Sequence, residues 1–172
     1  MTDIRLRNRH RLRQKEIRAI AEGIEQALGA KVFDEGSTVD MAEGPGYQVV
    51  YVDGEIRALV FDDGTPFLTV RGLLRYSATR RFVTVDMGAV KYVANGADVM
   101  GPGIVEADAG IAEGDLVWIR DVKNKRPLAI GRSLMSGEAL ARKGKGKSLT
   151  SVHHVGDRIW QLDEAEEEEP EH

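Results

Sequence analysis

The stretch Val85-Asp86-Met87-Gly88-Ala89-Val90-Lys91-Tyr92-Val93-Ala94-Asn95-Gly96-Ala97-Asp98-Val99-Met100-Gly101-Pro102-Gly103-Ile104 decides how this chain is read. It opens from Arg81-Phe82-Val83-Thr84-Val85, whose β-branched and aromatic residues predict a strand. Asp86 is placed to cap a helix, and Met87, Val90, Val93 and Ala94 supply the apolar side of a short one that Gly96 stops. A short strand and Gly101-Pro102-Gly103 follow. Gly88, Gly96, Gly101 and Gly103 permit backbone conformations or close approaches that a side chain would block. Two readings follow: the glycines turn a tight barrel corner, or they expose backbone that admits a ribose or phosphate.

Downstream, β signals continue in Leu116-Val117-Trp118-Ile119, in Pro127 to Gly131 beyond the basic turn Lys123-Asn124-Lys125-Arg126, and in Arg158-Ile159-Trp160-Gln161-Leu162. Short strands separated by turns predict a small barrel with short helices over residues 79–162. Upstream, Ile17, Ile20, Ala21, Ile24, Ala27 and Leu28 form one stripe of a helix that Gly29 can end. Asp53-Gly54 between Tyr47 to Val52 and Glu55 to Phe61 predicts a hairpin. A strand from Pro66 to Val70 and a helix or turn over residues 71–78 complete a small α+β domain of residues 1–78.

The chain's 172 residues allow one ordinary domain or two small ones. Its formal charge of −4 averages unlike parts. Residues 163–172, Asp-Glu-Ala-Glu-Glu-Glu-Glu-Pro-Glu-His, contain seven acids and no lysine or arginine, and predict a disordered tail. Without them, 24 bases face 21 acids, a net +3. Seven bases against two acids give residues 1–18 a charge of +5, and the alternation of Arg5, Arg7, Arg9, Arg11 and Arg13 suits a strand or extended arm with one cationic side. That arm has two readings, contact with RNA or neutralisation of the acidic tail. Arg142, Lys143, Lys145 and Lys147, interspersed with glycine, read as a mobile basic loop that attracts phosphate, or as a merely solvated one.

Several chemistries are excluded. There is no cysteine, hence no disulfide, thiolate metal site or cysteine nucleophile. His10, His153, His154 and His172 have no metal-site spacing. Gly144-Lys145-Gly146-Lys147-Ser148 lacks the glycine that a phosphate-binding loop needs at position 141, where alanine stands. No Gly-x-Ser-x-Gly elbow occurs. No apolar run reaches the roughly 18 residues of a membrane span, and the charged N-terminus lacks the apolar segment of a signal peptide. The expected compartment is the cytoplasm, with no membrane partner.

The string Asp86-x-Gly88-Ala89-x-Lys91-Tyr92-x-x-x-Gly96-Ala97-Asp98-x-Met100-x-Pro102-Gly103 resembles the signature of the PUA domain, an RNA-binding fold. Gly114-Asp115-x-Val117, Pro127-x-Ala129-x-Gly131 and Asp157-x-Ile159-Trp160 stand in the order that domain uses. Leu12-Arg13-x-Lys15-Glu16-Ile17, the Asp53-Gly54 hairpin and Pro66-x-Leu68-Thr69-Val70-Arg71 resemble the pre-PUA domain of translation factors related to the multiple-copies-in-T-cell-malignancy product. The resemblance implies an α+β N-terminal domain followed by a mainly-β PUA pseudo-barrel with short helices. It implies a non-catalytic protein without cofactor or metal that binds tRNA, rRNA or a structured RNA with a single-stranded end. It also implies association with the small ribosomal subunit and a translation-factor partner, in initiation or recycling. The acidic tail departs from the family.

Carried onto this chain, the resemblance places Gly88, Ala89, Lys91, Tyr92, Gly96, Ala97, Met100, Pro102 and Gly103 at or beneath an RNA-binding surface, with Arg158 at its far edge. The basic positions Arg142, Lys143, Lys145 and Lys147 join them on charge. Lys91 reads as a phosphate contact or a solvated lysine, Tyr92 as a base-stacking ring or a core residue, and Met100 as core packing. Two alternatives stand beside this: an RNA-modification enzyme or its accessory subunit, and a protein-docking subunit that offers the hairpin of residues 47–61 as a sheet edge.

Overall fold

A computed structural model of the chain describes residues 4–168. Two compact units emerge: one runs to Ala78 and takes in the segment from Arg158 onward, the other is Thr79–Asp157.

In the first unit, β1 (Arg7–Arg11) leads into α1 (Gln14–Leu28), followed by β2 (Val39–Glu43), β3 (Tyr47–Val52), β4 (Glu55–Phe61), β5 (Pro66–Leu68) and α2 (Val70–Arg75). The strands form one antiparallel sheet in the order β1-β2-β3-β4-β5. Helix α1 turns the predicted stripe inward, with Ile24 and Leu28 fully buried, and ends at left-handed Gly29. Asp53, at φ 50°, and Gly54 make the predicted hairpin. That hairpin occupies the middle of the sheet, so it is not the edge proposed for a partner; the edges are β1 and β5. Thr69 ends β5 and starts α2 by accepting the Gly72 amide at 3.1 Å, which is why Val70 is helical rather than the last residue of a strand.

The second unit contains β6 (Phe82–Val85), α3 (Met87–Ala94), β7 (Val99–Met100), a 3-10 turn (Gly101–Gly103), β8 (Ile104–Ala107), β9 (Leu116–Asp121), β10 (Pro127–Ser133), α4 (Gly137–Ala141) and β11 (Lys147–His154). Its sheet runs β7-β11-β10-β9-β6-β8. The outermost strands, β7 and β8, are neighbours in sequence, joined by Gly101–Gly103 alone. That connection reaches about 14 Å at full extension, whereas six strands laid flat span about 24 Å. The sheet is therefore rolled into a nearly closed barrel, filled by Val83, Val85, Val93, Ile104, Val117, Ile119 and Leu149 among others. Strand β11 has no counterpart among the expected strands: its Ser, Thr and His residues mask the apolar positions, and its pairing with β10 and β7 is long-range.

Residues 158–162, expected as the last strand of the barrel, instead begin α5 (Arg158–Glu168) in the first unit. Ile159 and Asp163 are both buried and stand four residues apart, one helical face. A carboxylate at the second position hides that face from a hydrophobicity pattern. The Asp163 carboxylate accepts the Ile56 amide at 3.0 Å and lies 3.0 Å from Arg71 Nε. Arg71 also donates to the Trp160 carbonyl at 3.1 Å and stacks 3.8 Å from the centre of its ring. The acidic segment predicted as disordered from 163 is thus helical backbone to Glu168, and residues 169–172 lie outside the described residues. No helix among the described residues is long and apolar enough to cross a membrane.

Candidate nucleic-acid interface

Asp86 caps α3 by accepting the Ala89 amide at 2.9 Å, and its own amide donates to the Gly103 carbonyl, which brings the helix start against the end of the 3-10 turn. Between α3 and this turn lies a cleft of about 590 Å³. Gly88, Ala89, Tyr92 and Val93 of α3 form one wall, and Met100, Pro102 and Gly103 another, with Ala97, Asp98, Val99 and Lys147 between them. Tyr92 is 59% exposed and Met100 50%, so neither belongs to the core. Met100, expected in the core, stands at the mouth of the cleft because β7 is only two residues long and its partner Val99 takes the inward position. Lys91 places its ammonium 5.3 Å from the centre of the Tyr92 ring, within cation–π range.

The cleft carries one internal ion pair. Asp98 accepts the Ser151 amide at 2.7 Å and lies 2.9 Å from Lys147 Nζ. The amide hydrogen bond first, and the lysine second, hold the Asp98 carboxyl below its ordinary range. Lys147, grouped with the phosphate-attracting loop on sequence alone, is therefore already engaged, and with Asp86 also lining the cleft two carboxylates face one ammonium, so its interior carries no excess of positive charge.

The rest of the basic loop borders the cleft. The Gly101 amide donates to the Gly146 carbonyl at 2.9 Å, and a Cβ on Gly101 would come within 1.8 Å of the Gly144 carbonyl oxygen. The loop expected to be mobile is hydrogen-bonded to the 3-10 turn at Gly146 and passes close to it at Gly144, while Arg142, Lys143 and Lys145 remain exposed and have no carboxylate partner among the side chains described.

Two candidate positions fall elsewhere. Gly96 has φ 94° and passes His154 so closely that a Cβ would stand 2.8 Å from its Nε2; the residue ends α3 and does not line the cleft. Arg158, read from sequence as the far edge of this surface, stands on α5 and lines a separate cleft of the first unit with Arg5 and Arg7. Of the arm, Arg9 and Arg11 lie 3.2 and 2.6 Å from Asp40 on β2, and Arg9 also covers the Tyr51 ring at 3.8 Å. Arg11 above all, with Arg9, holds the Asp40 carboxyl below its ordinary range. Sequence gave no signal for Asp98 or Asp40 as the partners of these cations, since both pairings cross between strands or loops distant in the chain.

Residues 81–155 match the PUA domain family. An uncharacterized protein of Methanocaldococcus jannaschii is 35% identical over 90% of this chain and 96% of its own length. Translation machinery-associated protein 20 of Saccharomyces cerevisiae is 34% identical over 66% of this chain and 65% of that protein. Malignant T-cell-amplified sequence 1 of Rattus norvegicus is 28% identical over 67% of this chain and 65% of that protein. The matched region thus spans just under two thirds of the yeast and rat relatives. A hypothetical protein of Pyrococcus horikoshii, solved as a crystal structure, superposes with a TM-score of 0.79 at 34% identity, over 91% of this chain and 99% of that one.

Proposed function

The chain belongs to the family of PUA-domain proteins homologous to translation machinery-associated protein 20 and malignant T-cell-amplified sequence 1, and on that premise we propose how it works. The family supports an RNA-binding role in translation. The finer reading is a non-catalytic protein of the cytoplasm that engages tRNA, rRNA or the small ribosomal subunit during initiation or recycling.

The observation that carries this reading is the exposed Tyr92–Met100 cleft beside uncommitted cations. A base at a single-stranded RNA end has a free face that Tyr92 can stack on. An interior without excess positive charge, its Lys147 held by Asp98 and Asp86 lining it too, favours a base over a phosphate. Phosphates are drawn to Lys91 outside the cleft and to Arg142, Lys143 and Lys145 beside it, where each guanidinium or ammonium displaces counterions.

Titration of a structured RNA with a single-stranded end tests the division of labour. Tyr92→Ala lowers affinity about tenfold, the effect of one lost stack, and leaves the salt dependence unchanged. Replacing Arg142, Lys143 and Lys145 by alanine lowers affinity and flattens the slope of log K against log salt by about 2. Unchanged binding in both variants overturns the assignment.

A further inference from the structure

The arginines of the arm share a parity that, in an uninterrupted strand, puts them on one face. They do not act together. Asn8 takes a left-handed backbone, φ 55°, and the β1–β2 register shifts between Arg7 and His10. The break separates Arg9 and Arg11, held by Asp40, from Arg5 and Arg7. Arg5 and Arg7 line a cleft of about 620 Å³ to which α5 adds Arg158. Among the side chains described, those of residues 4–163, none of these three arginines has a carboxylate partner, in contrast to Arg71 and Arg75 of the same unit, which face Asp163 and Glu55. The one acid lining the cleft, Glu43, accepts the Asn8 side-chain amide at 2.9 Å. Three guanidinium groups thus face one carboxylate, an excess of two positive charges drawn from two ends of the chain.

We propose that Arg5, Arg7 and Arg158 form a second RNA-backbone site, on the first unit, that takes phosphodiester groups. The choice of phosphate rests on the side chains: all three cations are arginine, whose planar fork gives two parallel hydrogen bonds to a phosphate. The ligand class rests on the RNA-binding reading above, while the place rests on a separate set of residues. The PUA-type cleft captures an unstacked base, and this one grips backbone without reading sequence.

The test is binding of a stem-loop RNA with a single-stranded 3′ end by the full chain, over a range of salt, with wild type, Arg5→Ala/Arg7→Ala/Arg158→Ala, the corresponding triple lysine variant and Tyr92→Ala. Thermal unfolding confirms that each variant is folded. The triple alanine variant loses roughly tenfold in affinity at low salt and about 2 in salt slope, the share of three single-strand phosphate contacts. The lysine variant restores the slope and only part of the affinity, since the charge returns without the fork. A triple alanine variant that binds as wild type while Tyr92→Ala is weakened overturns this site and leaves the PUA-type cleft standing. Wild type that binds no RNA overturns both. Polyglutamate as a second probe distinguishes the ligand class: loss of polyglutamate binding with RNA binding intact assigns the cleft to an acidic peptide and overturns the proposal.

Discussion

The β1 arginines and the loop of residues 142–147 are both dense positive stretches in the sequence, and the fold uses them in opposite ways. On β1, Arg9 and Arg11 are bound to Asp40 and to the Tyr51 ring. Elsewhere in that unit Arg71 is clamped between Trp160 and Asp163, and Arg75 faces Glu55. In the loop only Lys147 is engaged, while Arg142, Lys143 and Lys145 face solvent along a backbone pinned to Gly101. Much of the first unit's arginine charge holds structure together, and most of the loop's charge is available to a ligand. A count of bases cannot separate the two, because availability depends on where the carboxylates fall in space.

Removing the deepest of the structural partners breaks the comparison most severely. Asp163→Ala leaves the Arg71 guanidinium and the Ile56 amide without their buried acceptor, and is expected to cost about 3 kcal/mol or more in denaturant unfolding, since stripping one member of a buried pair strands the other. A smaller effect comes from freeing the loop. Gly101→Ala drives a methyl group into the Gly144 carbonyl and is expected to cost about 2 kcal/mol in the same measurement. It also lowers RNA affinity, as the cations lose their fixed place beside the cleft. RNA binding unaffected by Gly101→Ala would show that the loop need not be held.

The smallest effect sharpens the contrast. Asp40→Asn weakens the grip on Arg9 and Arg11, both substantially exposed, so the loss of stability is expected to stay below about 1 kcal/mol. Its sign with pH follows from the direction of the shift. The Asp40 carboxyl is lowered in the folded state, so its contribution is full above the unfolded value near 4 and disappears as pH falls through the lower folded value. Stability curves of wild type and Asp40→Asn should therefore separate at neutral pH and converge in acid. Curves that remain parallel would mean that the pair does not contribute.

The local features were legible where chemistry acts within a few residues. Asp86 as a helix cap, Asp53-Gly54 as a hairpin, Gly29 as a helix end and the apolar stripe of α1 each rest on short-range rules, and the structure repeats them. Within the cleft, Gly88, Ala89, Tyr92, Ala97, Met100, Pro102 and Gly103 were named from their order in the chain, and they line one cavity. The errors share a cause. The helix from Arg158 carries a strand-like apolar pattern because its inward face is completed by a carboxylate whose partners, Ile56 and Arg71, lie about a hundred residues away in sequence. Strand β11 is silent in the sequence because its polar residues gain their meaning only from pairing with β10.

By itself, then, the sequence determined the kinds of element, the glycine-punctuated motif of residues 86–103 and the family, since each depends on residue type and short spacing. Only the tertiary structure decided which charges remain free. The pairing of β7 with β11 places Lys147 against Asp98, and the pairing of β1 with β2 places Arg9 and Arg11 against Asp40. The break at Asn8 and the return of α5 gather Arg5, Arg7 and Arg158 into one cleft. Coulomb attraction depends on distance in space, and distance along the chain does not predict it.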